Sequence, residues 1–222
     1  MSAGTPLFPY GLRAPGQRTN RLVVAGLAAL LLLVVTGLWL YLYQKSLEKP
    51  YVELKGFRVA TQQSFDRFLR RGDNRARVTR LASYLQERGV DDVTALQNLL
   101  RQGTDWLDIG EPPFAIPPGD RWRNMIDTLA ILRDEVVPAV GPVDVLSAYR
   151  TDNYNRKSGG ADTSRHRDFC GLDLIPQSNI SRKELVEELR SLYARLGPES
   201  NLGLGIYDGL RFHIDTCGYR TW

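Results

Sequence analysis

Residues 22–43, LVVAGLAALLLLVVTGLWLYLY, carry no charged side chain. About 20 such residues, rising 1.5 Å each, cross the hydrocarbon core of a bilayer. A cleaved signal peptide has a shorter apolar region with a small-residue cleavage site behind it. Here the run closes on Trp39, Tyr41 and Tyr43, residues suited to the membrane–water interface. The run therefore reads as an uncleaved transmembrane anchor. Arg13, Arg18 and Arg21 precede it with no acid among them, whereas Lys45, Glu48, Lys49, Glu53 and Lys55 behind it mix both signs. By the positive-inside rule the N-terminus lies in the cytoplasm, and the rest of the chain is periplasmic or otherwise extracytoplasmic.

The flanks of the anchor also account for the basic balance. The formal net charge is +4. Arg13, Arg18, Arg21 and Lys45 supply that excess, and the remainder of the chain is neutral overall. A nucleic-acid binder carries a basic stripe on its folded domain instead, so no nucleic-acid partner is expected. Residues 1–21, with their Gly, Pro and Arg, read as a disordered cytoplasmic tail. Residues 44–58 read as a mixed-charge connector.

Residues 59–136 have a helical pattern. Phe65, Phe68 and Leu69 share one face; so do Val78, Leu81 and Leu85, and then Val93, Leu96, Leu99 and Leu100. Breaks fall at Arg71-Gly72-Asp73 and at Arg88-Gly89. Asp91 or Asp92 is placed to cap the third helix. Pro112, Pro113, Pro117 and Pro118 mark an irregular surface stretch. Asp120 then caps a helix over about residues 121–136, with Met125, Leu129, Ile131 and Leu132 inward. Beyond Pro138 the texture changes. Residues 143–149, the Leu172-Asp173-Leu174 segment and residues 210–215 read as strands. Ser181 with Glu184 forms a capping-box pattern for a helix reaching about Leu196. The expected fold class is α+β: a small antiparallel sheet within residues 137–222, an N-terminal helical extension, and a single transmembrane helix.

The chain has two histidines, and each has an aspartate near it: His166 with Asp173, and His213 with Asp215. On an alternating strand, His213 and Asp215 face the same side. Imidazole and carboxylate are zinc donors, and a catalytic zinc site keeps one position open. The residues alone leave two readings: one metal centre, or two histidines in structural hydrogen bonds. Cys170 lies between His166 and Asp173, and Cys217 lies shortly after His213. If the histidines share a metal, the cysteines are neighbours. An oxidising compartment then permits a disulfide; two separate buried thiols are the alternative, and a thiolate metal ligand, without any CxxC-type spacing, is a third.

The string Ser147-Ala148-Tyr149-Arg150-Thr151, Tyr154-Asn155, Ser158-Gly159-Gly160-Ala161, Ser164-Arg165-His166 and Asp173 resembles the M15 zinc peptidases. That group holds D-alanyl-D-alanine carboxypeptidases, dipeptidases and murein endopeptidases. The later Gly203-Leu204-Gly205-Ile206-Tyr207 and Phe212-His213-Ile214-Asp215, with Arg220 and Trp222, resembles the ending of one branch. The resemblance covers about residues 140–222. It implies Zn2+ as cofactor with His166, Asp173 and His213 as ligands; Asp215 is the alternative to His213. With His213 as ligand, Asp215 is the implied catalytic group, moving a proton or orienting water. Arg150 is implied to hold a substrate carboxylate, and Ser164 to give the substrate a hydrogen bond. The implied protein is a membrane-anchored peptidase acting on D-amino-acid-containing peptidoglycan peptides.

Three positions depart from the family pattern. Between the first two ligands, Phe169 replaces a Gly and Gly171 replaces an Ala, and Leu210 stands where some members carry an acid. These departures suit a rival reading, a catalytically inactive metal-containing module that binds peptidoglycan or a protein partner.

Overall fold

The computed structural model describes Met1 and residues 16–222, with side chains, Met1 apart, from Asn20 onward. The tail expected over residues 1–21 falls mostly outside the described residues. The chain divides into two compact units, Met1–Lys49 and Pro50–Trp222.

The first unit is built on one helix, α1 (Gly16–Leu47). Its most apolar 18-residue stretch has a mean hydropathy of 2.6, and the Asn20–Leu47 part is long and apolar enough to cross a membrane. Residues 16–21, read from the sequence as the end of a tail, form the first turns of this helix. At the other end Lys49 precedes Pro50. The residue before a proline is driven out of the helical region, which closes α1.

The second unit opens with an antiparallel hairpin, β1 (Tyr51–Leu54) and β2 (Phe57–Ala60). It occupies most of the stretch expected to be an irregular connector. Lys55 and Gly56 both have positive φ, 47° and 89°, as the favoured two-residue hairpin turn requires. The charges of Glu53, Lys55 and Arg58 interrupt the apolar alternation that would have signalled the strands.

Helices α2 (Gln62–Leu69) and α3 (Asn74–Gln86) bury the anticipated faces, Phe65 in one and Val78, Leu81 and Leu85 in the other. The third expected helix is a single turn, α4 (Leu96–Leu99), with Ala95 and neither aspartate at its cap. The proline-rich stretch is pinned by the backbone just after α4. Ala115 N donates to Leu100 O at 3.0 Å, and Gln102 N donates to Pro113 O at 3.0 Å. The next helical run is longer than expected, from Gly119 to Val140. It opens as a tight 3-10 segment (Gly119–Met125), becomes α5 (Ile126–Ile131), widens to a π turn (Leu132–Val136) and ends as α6 (Val137–Val140). Pro138 has no N–H to offer the preceding turn, and the π turn lies directly ahead of it.

The sheet comprises β3 (Val143–Ser147), β4 (Leu172–Pro176), β5 (Gly203–Ile206), β6 (Phe212–Asp215) and β7 (Arg220–Thr221). Its spatial order is β3-β4-β6-β5-β7. The pairs are antiparallel except β5 with β7, which run parallel. A short helix, α7 (Asp152–Lys157), follows β3, capped by Thr151, whose side chain accepts from Tyr154 N. Helix α8 (Arg182–Leu196) carries the full Ser181–Glu184 capping box and buries Leu185, Leu189 and Leu192.

Strand alternation sorts β4 and β6 into two faces. Leu172, Leu174, Phe212 and Ile214 enter one continuous core with Leu81, Leu129 and Leu189, so the helices and the sheet are consolidated together. Asp173 and His213 are direct partners in the β4–β6 register and take the other face. Leu189→Ala would leave a cavity at the centre of that shared core. It is expected to lower unfolding stability by about 2–5 kcal/mol, read as a reduced urea midpoint with an unchanged slope.

Candidate metal centre

His166 lies on the loop between α7 and β4. Arg150 N donates to His166 O at 3.0 Å, which holds the loop against the end of β3. The His166 ring Nδ1 sits 2.7 Å from Ala148 O. A carbonyl can only accept, so Nδ1 carries the proton and Nε2 presents its lone pair. That Nε2 is buried and has no hydrogen bond; it stands 3.2 Å from Asp173 Oδ1, close but not aligned as a donor. Burial, with Arg150 nearby, pushes His166 down to about 4, so the ring is neutral near pH 7.

Asp173 Oδ1 also lies 3.0 Å from His213 Nδ1. One donor atom each from His166, Asp173 and His213 falls within a 4.8 Å cluster, and all three residues are buried. Burial alone would raise the Asp173 carboxyl, but His166, His213 and Arg150 outweigh it and hold it well below the usual carboxylate range. The outer oxygen, Oδ2, accepts from Arg150 Nη2 at 2.7 Å. Arg150 Nε donates to Gln102 O at 2.9 Å and to Ser147 Oγ at 3.0 Å. A β-bulge between Val145 and Ser147 brings Ser147 opposite Asp173, a common use of bulges beside functional sites.

His213 has carboxylates at both ring nitrogens, since Nε2 lies 3.0 Å from Asp215 Oδ2. Burial would lower its pKa, yet the two aspartates together raise it. Asp215 is fully buried and is spoken for on both oxygens. Oδ1 accepts from Cys217 N at 2.9 Å and Arg220 Nη1 at 3.0 Å, and Oδ2 accepts from Arg220 Nη2 at 2.7 Å. Burial opposes ionisation there, but His213 and Arg220 hold Asp215 at about 2.

The donor set fits a divalent metal. An unbonded buried imidazole nitrogen, a buried carboxylate and a second imidazole converge, and each imidazole has an outer partner, Ala148 O or Asp215. Such partners orient the ligands of metal sites. A cavity of about 340 Å³ opens over the cluster, lined by His166, His213, Ser164, Arg165, Tyr207 and Trp222 among others. Ser164 and Arg150 both reach it. Tyr149 does not join this wall; it packs edge-on against Phe169, ring centres 6.2 Å apart.

Cys170 and Cys217 are joined, with Cα atoms 6.4 Å apart. The bond ties the His166 loop to the chain just beyond Asp215. Two departures from the family pattern acquire physical reasons here. Phe169 has φ of 53°, a left-handed conformation that favours glycine; its ring is fully buried. Gly171 has no room for a side chain, since a Cβ there would meet His213 Cε1 at 2.5 Å. Sequence reading missed Gln102, which is buried. Its Oε1 accepts from Thr151 N and Thr151 Oγ1, both at 2.9 Å, while its carbonyl steadies Arg150. No spacing or motif marked it, because Arg150 and Thr151 lie nearly fifty residues further along the chain, at separations of 48 and 49.

A family model described as Peptidase M15 matches residues 86–212, more than half of the chain. The match takes in His166 and Asp173 and stops at the residue before His213. No curated protein and no solved structure gives a significant match.

The left-handed backbone at Phe169 predicts an inverted ranking of two truncations. Phe169→Ala loses the buried ring and keeps the unfavourable conformation, at a cost of about 3–5 kcal/mol. Phe169→Gly loses the same ring but relieves the conformation, so it is expected to be the more stable of the two by about 1 kcal/mol. Urea unfolding of both variants measures the difference.

Proposed function

The chain belongs to the M15 peptidase family, and we propose that it is a zinc-dependent peptidase, anchored by α1, that acts on D-amino-acid-containing peptides of peptidoglycan. The observation that carries this reading is the convergence of the unbonded His166 Nε2, Asp173 Oδ1 and His213 in one buried cluster beneath a cavity. In this proposal residues 1–21 face the cytoplasm, residues 22–43 span the membrane, and the unit from Pro50 onward works on its outer side. The disulfide suits that oxidising side.

His166, Asp173 and His213 would hold the ion, which when bound supplies Lewis acidity toward the scissile carbonyl. The chain's own groups do the positioning. Ala148 O fixes the His166 tautomer so that Nε2 faces the cluster. Arg150 draws Asp173 Oδ2 away and leaves Oδ1 toward the histidines. Asp215 accepts the proton on His213 Nε2 and so turns Nδ1 inward. Because Asp215 is buried and fully bonded, we assign it this orienting task in preference to carrying the proton between water and leaving amine. Ser164 and Tyr207 line the cavity as hydroxyl groups for the peptide backbone.

One observation favours the rival, an inactive binding module. The residues lining the cavity over the cluster include no aspartate or glutamate, so no free carboxylate stands ready there as a general base. Turnover decides between the two. The full chain in detergent, loaded with zinc, is given purified muropeptides, and products are read by mass spectrometry with His166→Ala as control. Loss of one alanine identifies a carboxypeptidase, and conversion of cross-linked dimers to monomers identifies an endopeptidase. A folded, zinc-loaded chain that yields neither product leaves the binding module as the function.

Asp215→Asn keeps the shape but weakens the outer bond to His213. Zinc affinity is expected to fall about 10–100-fold, measured by competition with a chromogenic chelator. Unchanged affinity would remove Asp215 from the orienting role.

A further inference from the structure

Three arginines, Arg150, Arg165 and Arg220, stand among the residues that line the cavity over the cluster. Such a wall selects for an anion, and the planar fork of arginine matches a carboxylate in bidentate fashion. Two of the three are already committed in large part to buried partners. Arg150 spends Nε on Gln102 O and Ser147 Oγ and Nη2 on Asp173. Arg220 grips Asp215 through both terminal nitrogens and also donates to Gly218 O at 2.9 Å. Drawing either away from its buried carboxylate to serve a ligand would weaken the pairing of that charge.

Arg165 is different. Its side chain is 36% exposed, and its ion pair is a long contact of 3.3 Å to Asp168, itself 45% exposed. A pair of that kind contributes little and yields readily to a better partner. The backbone beneath it is fixed, since Arg165 O accepts from Cys170 N at 3.0 Å and from Gly171 N at 3.3 Å. A rigid base therefore carries a fork with donors to spare, immediately before the candidate ligand His166. Thr163 and Ser164 supply hydroxyls on the same wall, and Trp222 supplies an apolar surface.

We infer that Arg165, and not Arg150, is the residue that recognises a carboxylate of the peptide bound in this cavity, which makes it a specificity-determining residue. The inference rests on the peptidase reading only for the identity of the ligand as a peptide. Two carboxylates of such peptides share this chemistry, the C-terminal one and that of a dicarboxylic diamino acid side chain.

The test is binding, measured apart from turnover. The full chain in detergent, stripped of metal, is titrated calorimetrically with synthetic peptides ending in D-Ala-D-Ala, as free acid or as C-terminal amide. A second pair keeps the amide end and carries diaminopimelic acid with its side-chain carboxyl free or amidated. In one of the two pairs the wild-type chain is expected to bind the free acid on the order of tenfold more tightly. That pair identifies the carboxylate read. Arg165→Gln should abolish the preference and Arg165→Lys should retain part of it, both with unchanged thermal midpoints. Absence of a preference in the wild type, or a preference that survives Arg165→Gln, overturns the inference. Zinc-loaded turnover is assayed separately. A carboxylate preference lost in Arg165→Gln without any cleavage would reject the hydrolase while upholding Arg165.

Discussion

A buried aspartate costs several kcal/mol unless its charge is met, and Asp173 gathers around it three residues drawn from three parts of the chain. His213 comes from the neighbouring strand, directly opposite in register. His166 comes from the loop ahead of β4. Arg150 comes from the chain just past β3 and its bulge at Val145–Ser147. The sheet order, the loop and the bulge are thus coupled through one carboxylate. The hydrophobic face of the same strands supplies the free energy that keeps this polar face assembled, since Leu172 and Leu174 flank Asp173 and both are fully buried.

Around that charge the packing is close enough to dictate residue size. Gly171 is confined by the His213 ring, and a Cβ at Gly203 would strike the Asp215 carboxylate. The two histidine rings meet edge to face at 4.9 Å, so neither can turn without displacing the other. Preorganisation of this sort lets a site hold a metal without first reshaping itself.

Much of this was legible in the chain. The Ser181–Glu184 box announced α8, the apolar faces of α2 and α3 were plain, and alternation placed His213 and Asp215 on one side of β6. The candidate metal-binding set could be drawn up because the chain has two histidines and the motif string ordered them. What stayed hidden depended on partners distant in sequence. The β1–β2 hairpin was masked by its charges, and α7 has too few residues to show a period. Gln102 acts only through segments brought from either side of it. Arg150 shows what packing adds: its type suggested a grip on a substrate carboxylate, and the structure adds a bond from its Nη2 to Asp173 Oδ2. A residue's chemistry is visible in sequence, but whether its donors are free is decided by packing.

The bond between Cys170 and Cys217 has a practical side. It fastens the loop bearing His166 to the segment that follows Asp215, and those two regions approach the cluster from opposite ends of the sheet's sequence. A reducing cytoplasm keeps such thiols apart. Protein produced there would therefore emerge with this loop unfastened, or as a mixture of fastened and unfastened chains. Weak metal uptake by such a preparation would report the route of production and not the chemistry of the site. Export to an oxidising compartment, or oxidative refolding with a count of remaining thiols, belongs at the start of any biochemical work on the molecule.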